Sequence, residues 1–534
     1  MTNTAKKEKK QTGSFYTQNK IAETMINWAV RTGDENILEP SFGDGIFIEN
    51  AVSRCETLGN FQPKITAVEI KPNLLKFFST VNTMFADFLS LNFASQFDVV
   101  IGNPPYIGIK NLSAEQHKNI DKIMQKYSMK TTKNASLWFP FVLQAIESLK
   151  IGGRLAFVLP FELTYVRYAF SLWDILANNF SHITVNRIYE DFFPAVDVET
   201  IIFFAENKGK TTKHVEYNIY DTINDFANND PKICSKIPIT EIIANEKPFV
   251  FQTLNQSQKT FLLTLKEQQI ITPIFESCKF KIGYVSADKN YFHPNANLVV
   301  QYALSKENLF PAIINSKEIN SDIGLEIDFG KCKSNLYVPK NITESDERYI
   351  KLGEQFGVHE KYKCRQRKPW YITPNIEFPD VILSVFGDTP KMIINAGKYA
   401  VSNSLLCGHL KNGSAKQFLC RWYNSLTLLS LELNVHSLGG GSFVIIPGEA
   451  DKLDIVQNIP QNKVAKIFDE LNKMVKNGDL KKAYELGDKL VLQDIFNFSD
   501  DDICVIRDAV KTLQNWRNPH NRRADFANRI LHFN

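Results

Sequence analysis

The sequence predicts an α/β fold for roughly its first two hundred residues: a mostly parallel sheet with helices on both faces, followed by a mixed α+β region. Two observations carry this. From about residue 13 to about Asn207, short apolar runs of strand length alternate with amphipathic stretches of helix length, the rhythm of βαβ units. After about Lys210 the rhythm gives way to short strands among many Asn, Pro and Lys residues. A chain of 534 residues also exceeds what one core supports, so two domains, or three, are expected.

Residues 1–12 are polar and carry Lys6, Lys7, Lys9 and Lys10, the composition of a disordered arm. Strands are predicted at "NILEP" (36–40), "ITAVEI" (65–70), "FDVVIG" (97–102), "RLAFVLP" (154–160) and "TIIFFAE" (200–206). These are short and rich in β-branched and aromatic residues, as strands buried on both faces require. Helices are predicted at "IFIENAVSRCETL", "NASLWFPFVLQAIESL" and "YAFSLWDILANNF". The domains expected are a catalytic one over 13–235 and a second region over 236–534, helical after about 460. There "NKVAKIFDELNKMVKNG" ends on Gly478, and a last helix opens with Ser499 as N-cap and Asp502 in the capping-box position.

With 44% hydrophobic and 22% charged residues this is the composition of a soluble globular protein. No apolar run has the length of a signal peptide core or a membrane span, so a cytoplasmic location is expected. The eight cysteines form no C-x-x-C pair and read as free thiols, and no metal is expected. A net charge of +4 leaves room for a local basic face without demanding one.

"ILEPSFGDGIFIENAV" (37–52) places a strand, a carboxylate, and Gly43 and Gly45 in a tight turn before a helix. Glycines there let backbone approach a ligand at the carboxyl edge of a sheet, although such a turn is equally ordinary on its own. Two further acids follow in order. Glu69 ends the next strand, at the distance where an acid can hold ribose hydroxyls. Asp87, in "FADF", ends a third strand beside aromatics suited to an adenine's amino group and face. The turn is not G-x-G-x-x-G and holds neither a basic residue nor a P-loop lysine, so an adenosine without phosphates fits better than NAD or ATP.

The fourth strand runs into Asn103-Pro104-Pro105-Tyr106. The residue before a proline is pushed into extended backbone and two prolines lock φ, so this loop holds its acceptors rigidly. The Asn103 side-chain oxygen and the Pro104 carbonyl suit a planar amino group with two hydrogens to give away. Such a nitrogen is a poor nucleophile because its lone pair is delocalised. Two fixed acceptors draw it toward a tetrahedral shape and stabilise the positive charge it gains while attacking a methyl group. Tyr106 offers a ring for stacking a planar substrate.

In this order of motifs the chain resembles the gamma-class N6-adenine DNA methyltransferases, the type of many bacterial type II modification enzymes. The resemblance implies a Rossmann-like S-adenosylmethionine-dependent methyltransferase domain and a C-terminal target-recognition domain. The family's catalytic motif is matched at Asn103, Pro104 and Tyr106; its first cofactor motif at Glu39, Ser41, Gly43 and Gly45; its second at Glu69 and Ile70; its third at Asp87 and Phe88. "GSFYTQNKIAETMINW" resembles the family's N-terminal motif, which implies Phe15, Tyr16 and Thr17 near the methionine end of the cofactor, with Asn103 lining the same site. "DFFPAVDVETIIFF" resembles the segment that stacks on the second face of the flipped adenine; Phe193, before Pro194, is chosen, and Phe192 could exchange with it.

The implied partner is double-stranded DNA. The expected chain is a monomer, and whether a cognate restriction endonuclease acts on the same site stays open. "KYKCRQRKPWY" supplies Lys361, Lys363, Arg365, Arg367 and Lys368 among aromatics, and "NWRNPHNRR" adds Arg517, Arg522 and Arg523. These are candidate DNA contacts, or simply solvated faces. The glycine loop "SLGGGSF" is a DNA contact or a plain turn. Methyl transfer to RNA or to a protein glutamine uses similar loops, but those enzymes do not normally begin their cofactor motif within forty residues of the N-terminus and follow it with so large a C-terminal half. A modification subunit of a multi-subunit complex is a further alternative. Pro379-Asp380 and "GDTPK" have the wrong spacing for a nuclease site.

Overall fold

The computed structural model describes residues 17–71, 81–131, 135–190, 199–244, 247–387, 389–436 and 443–517. The chain divides into two units, Met1–Thr253 and Leu254–Asn534.

The first unit is built on one nine-stranded sheet of β1 (Asn36–Glu39), β2 (Lys64–Glu69), β3 (Val81–Phe85), β4 (Phe97–Gly102), β5 (Leu149–Pro160), β6 (His182–Ile188), β7 (Thr200–Glu206), β8 (His214–Tyr220) and β9 (Ile233–Pro238), in the order 3-2-1-4-5-7-6-8-9. β1 lies parallel to both β2 and β4, so the strand order reverses beside it. Ile37, Leu38, Val99, Val100 and Ile101 are all buried, which is why these strands read as continuous apolar runs.

Helices cover the sheet: α1 (Asn19–Ala29), α2 (Ile46–Thr57), α3 (Ala114–Lys126), α4 (Trp138–Ser148) and α5 (Phe170–Asn179). Helix α1 buries Ile21, Ala22, Met25, Ile26 and Ala29, a helical stripe, in the same core as Phe47, Ala51 and Cys55 of α2. Its Trp28 stacks on Phe204 of β7 at 4.2 Å between centroids, nearly coplanar at 7°. Helix α3 opens with a capping box in which Ser113 and Gln116 exchange side-chain and backbone hydrogen bonds.

The sheet is mostly parallel, as expected, with β7 antiparallel to both β5 and β6. One feature differs from the sequence reading: the first unit runs past 235, since β8 pairs with β6 and β9 with β8, extending the same sheet to Pro238. Neither added strand is an apolar run: β8 carries His214, Glu216 and Asn218 between its apolar residues, and β9 is largely open to solvent, with Ile237 its one buried residue.

The second unit contains a four-stranded antiparallel sheet of β11 (Cys278–Ile282), β17 (Leu405–Leu410), β14 (Val381–Ser384) and β15 (Met392–Ile394). A three-stranded sheet joins β13 (Asn335–Tyr337), β12 (Leu309–Ile313) and β16 (Ala400–Val401), and β10 (Ile271–Pro273) pairs with β18 (Asp454–Val456). Among its helices are α6 (Gln256–Glu267), α7 (Glu344–Gln355), α8 (Ala415–Trp422), α9 (Ser425–Asn434), α10 (Gln461–Lys476), α11 (Leu480–Gly487) and α12 (Asp500–Arg517). The start of α12 carries the expected box: Asp502 N–H donates to Ser499 Oγ at 3.1 Å and Ser499 N–H to Asp502 Oδ2 at 2.9 Å.

Phe204 is packed between Trp28 and Phe226, so truncating it opens a cavity that the β-sheet backbone cannot collapse to fill. Phe204→Ala is expected to cost about 3–5 kcal/mol of stability, measured by urea unfolding of the full chain.

Candidate active site

The carboxyl ends of β1, β2 and β4 meet at the reversal of strand order, and the residues there are tied to one another directly. After β1 the chain turns through Gly43 (φ +54°) and Gly45 (φ +84°), left-handed conformations that side chains other than glycine adopt at a cost. Gly45 is the N-cap of α2, and its N–H donates to Phe42 O at 2.7 Å to close the turn. A Cβ on Gly43 would meet nothing within 4 Å, so this turn faces open space.

Glu69, at the end of β2, braces the turn. Its Oε2 accepts from Gly43 N–H at 3.1 Å and its Oε1 from Lys71 N–H at 3.1 Å. Ser41 Oγ donates to the backbone oxygen of Asn103 at 3.1 Å, linking the β1 turn to the loop after β4. A Cβ on Gly102 would sit 3.5 Å from Glu39 Cγ, so Glu39 lies against the last residue of β4, next to Asn103.

Glu39 is buried, and among the described residues its Oε2 has no hydrogen-bond partner. Burial raises its carboxyl well above the usual range, and the negative charges of Asp44 and Glu69 add to the effect. Such an oxygen is a ready acceptor for a buried ammonium group. The residues present therefore fit S-adenosylmethionine: Glu39 could take its amino group, Glu69 its ribose hydroxyls and the Gly43 turn its close approach.

Asp87 caps the short helical turn that follows β3, accepting from Leu89 N–H at 3.0 Å, and its other oxygen accepts from Asn119 of α3 at 3.3 Å. Phe88 is buried, its ring packed on Phe141 of α4. The exposed apolar groups at these strand ends are Ile70 and Phe85, with Phe42 edge-on to Phe85 at 6.4 Å. Phe85 stands two residues before Asp87, at the start of the "FADF" segment.

In the Asn103 loop, Pro104 is buried and Asn103 and Tyr106 are half-buried. Asn103 Nδ2 donates to Thr17 Oγ1 at 3.3 Å, and the Tyr106 hydroxyl lies 2.6 Å from Asn103 Oδ1 and 2.9 Å from the Val158 carbonyl of β5. Burial pushes the Tyr106 phenol up, so it stays a donor. Beside this loop, Trp138 Nε1 and the Tyr168 hydroxyl both donate to Glu162 Oε1, at 2.7 and 3.0 Å, fixing a carboxylate that no sequence motif marked.

Phe15, Tyr16, Phe192, Phe193, Arg522 and Arg523 lie outside the described residues, as does most of the glycine loop. In the second unit, Lys363, Arg365 and Lys368 are exposed, as is Lys361, which pairs with Asp288. Two arginines depart from expectation. Arg367 donates to the carbonyls of Val285 (2.5 Å) and Ser286 (3.3 Å) and stacks over Phe292, so it ties loops together. Arg517 is buried, with Nε and Nη2 on the two oxygens of Glu432 at 2.9 and 3.0 Å and its guanidinium over Phe443. Neither presents a free cation to a nucleic acid.

A sheet of this order, with glycine turn, acids and proline loop at one edge, defines a class I methyltransferase fold. Residues 46–193 match the family model for the Eco57I restriction-modification methylase, and residues 246–492 that for the C-terminal domain of type II methyltransferase M.Eco57I. Type II methyltransferase M.AccI of Acinetobacter calcoaceticus is 25% identical over 394 residues, covering 71% of this chain and 72% of that protein. M.HincII of Haemophilus influenzae is 27% identical over 219 residues, 41% of each chain. Among solved structures, the type IIL restriction-modification enzyme MmeI in complex with DNA superposes with a TM-score of 0.55 at 12% identity, over 93% of this chain and 75% of that one. The chain belongs to the type II restriction-modification methyltransferases.

The raised carboxyl of Glu39 has a signed consequence. Its folded value exceeds its unfolded one, so its contribution to stability is present below the unfolded value and lost as pH rises through the folded value. Glu39→Gln is therefore expected to make the ligand-free protein more stable at neutral pH, by thermal melting, while weakening S-adenosylhomocysteine binding by calorimetry.

Proposed function

We propose that this enzyme transfers a methyl group from S-adenosylmethionine to the exocyclic N6 of an adenine flipped out of a specific site in double-stranded DNA, as a gamma-class modification methyltransferase. The observation that carries the reading is the Asn103-Pro104-Pro105-Tyr106 loop, hydrogen-bonded through Ser41 to the glycine turn beside the unpartnered Glu39 oxygen. Acceptors for an amine and a cradle for a cationic donor thus lie on adjacent parallel strands.

The sulfonium of the bound cofactor supplies an electrophilic methyl carbon. Everything else falls to the chain. Asn103 Oδ1 and the Pro104 carbonyl accept the two amino hydrogens and favour the charge that grows on nitrogen; the proton left over departs to solvent. Tyr106 stacks on one face of the base and Phe193 on the other. Thr17, with Phe15 and Tyr16, closes the methionine end; Ser41, Gly43, Gly45, Glu69, Ile70 and Asp87 hold the adenosine.

The second unit would read the target, with Lys363, Arg365 and Lys368 on phosphates. On this reading the protein is a cytoplasmic monomer, and a restriction endonuclease acting on the same site is a fitting companion, given that a relative carries the name type II restriction enzyme and methyltransferase RM.Eco57I. No described helix is long and apolar enough to cross a membrane.

Mapping modified bases in DNA from cells expressing the gene tests the proposal: N6-methyladenine confined to one short sequence is expected, and methylcytosine or methylated RNA instead would refute it. Asn103→Ala should lower methyl transfer by about 100- to 1,000-fold with S-adenosylhomocysteine binding intact. Asp87→Ala should chiefly weaken cofactor binding, read as a raised Kd in the same calorimetric titration.

A further inference from the structure

Asn103 is held at both ends of its amide. Nδ2 donates to Thr17 Oγ1, a partner 86 residues away in sequence, and Oδ1 accepts from the Tyr106 hydroxyl. A primary amide is nearly symmetric in shape, and rotating it by half a turn exchanges an acceptor for a donor. A reversed Asn103 would point N–H hydrogens at an amine that has only hydrogens to give. Activation therefore needs one sense of the amide and fails with the other.

The two prolines do not settle that sense. They fix backbone torsions, whereas the terminal amide torsion is an sp³–sp² rotation with a broad profile. Ser41 Oγ likewise anchors only the backbone oxygen of Asn103. Two side chains, Thr17 and Tyr106, reach the amide itself.

One phenolic proton has two acceptors within reach, Asn103 Oδ1 at 2.6 Å and the Val158 carbonyl at 2.9 Å. Directed at Asn103, it calls for an oxygen there; directed at Val158, it leaves phenol lone pairs that would favour the amide nitrogen. In the structure the nitrogen is on Thr17, which is consistent with the first arrangement. Thr17 is itself buried, so water does not readily replace its hydroxyl.

We infer that Thr17 and the Tyr106 hydroxyl are positioning groups that set which end of the Asn103 amide faces the acceptor amine, the chain's N-terminal segment thereby acting on the catalytic loop as well as on the cofactor. The inference rests on the role proposed for Asn103.

The test uses the full-length enzyme, tritiated S-adenosylmethionine and DNA from a host without adenine methylation. Thr17→Val, close to isosteric, is expected to lower kcat by about 10- to 100-fold, a fall clearly larger than the rise in the Kd for S-adenosylhomocysteine that follows from its place at the methionine end. Thr17→Ser, which keeps the hydroxyl, should restore kcat. Tyr106→Phe, which keeps the ring, should lower kcat in the same way. A wild-type kcat in Thr17→Val overturns the inference, as does a loss of cofactor affinity as large as the loss of kcat, which would make Thr17 a cofactor contact only. Asn103→Ala, run alongside, separates the two levels. If it remains active the reading of the site fails; if it is inactive while Thr17→Val and Tyr106→Phe are not, only the positioning inference fails.

Discussion

Parallel strands joined by right-handed crossovers deliver every strand-to-helix turn to one edge of a sheet, and where the strand order reverses, the turns on either side diverge and leave a crevice. In this chain the reversal lies beside β1, whose register puts Ile37 opposite Val99 and Leu38 opposite Val100. The next residues along the two strands are consequently neighbours: Glu39 and Pro40 on one side, Gly102 and Asn103 on the other. The Ser41 to Asn103 hydrogen bond is a result of this pairing, not an added device. Sixty residues of intervening sequence could vary in length without moving the two groups apart, because the sheet sets their spacing.

The charge arrangement follows from that geometry. Glu39 at the end of β1, Asp44 in the turn after it and Glu69 at the end of β2 lie together, and burial with mutual repulsion disfavours ionisation of Glu39. Among the described residues no ion pair involves Glu39, Glu69 or Asp87. A surface that concentrates acceptors without cations is costly to the empty protein and complementary to a cationic ligand, and departures of this kind from local stability rules tend to mark functional sites. The backbone adds no opposing preference: the Gly45 and Gly43 N–H groups of the turn are already taken by Phe42 O and the Glu69 carboxylate.

What the sequence disclosed, and what it hid, divides by range of interaction. Strands β1, β2, β4, β5 and β7 were legible because burial on both faces makes apolar runs, and the Asn103 loop because prolines impose their conformation locally. β8, whose apolar residues are broken by His214, Glu216 and Asn218, and β9, largely open to solvent, form no apolar run. Arg517 looked like part of a basic tail, since its neighbours in sequence are basic; its partner Glu432 is 85 residues distant and invisible to any local pattern. Arg367 sat inside a basic run for the same reason, its function fixed by two carbonyls about 80 residues upstream. Charge composition thus identified a basic segment correctly and misjudged which of its members face solvent.

On the proposed function, the anchoring of Tyr106 bears on how base extrusion would be sustained. Flipping an adenine costs a few kcal/mol, and one aromatic face returns about 1–3 kcal/mol per base, so a single ring does not balance the loss. A ring free to rotate would return less, because stacking would also have to order it. Here the hydroxyl end is fixed between Asn103 Oδ1 and the Val158 carbonyl, and the ring belongs to a proline-stiffened loop, so its ordering is complete before any base arrives. The remainder of the extrusion cost must then come from the amine's hydrogen bonds and from DNA contacts made elsewhere. Removing the phenol while keeping the ring would therefore weaken the base pocket twice, once through the amide it orients and once through the mobility it returns to the ring.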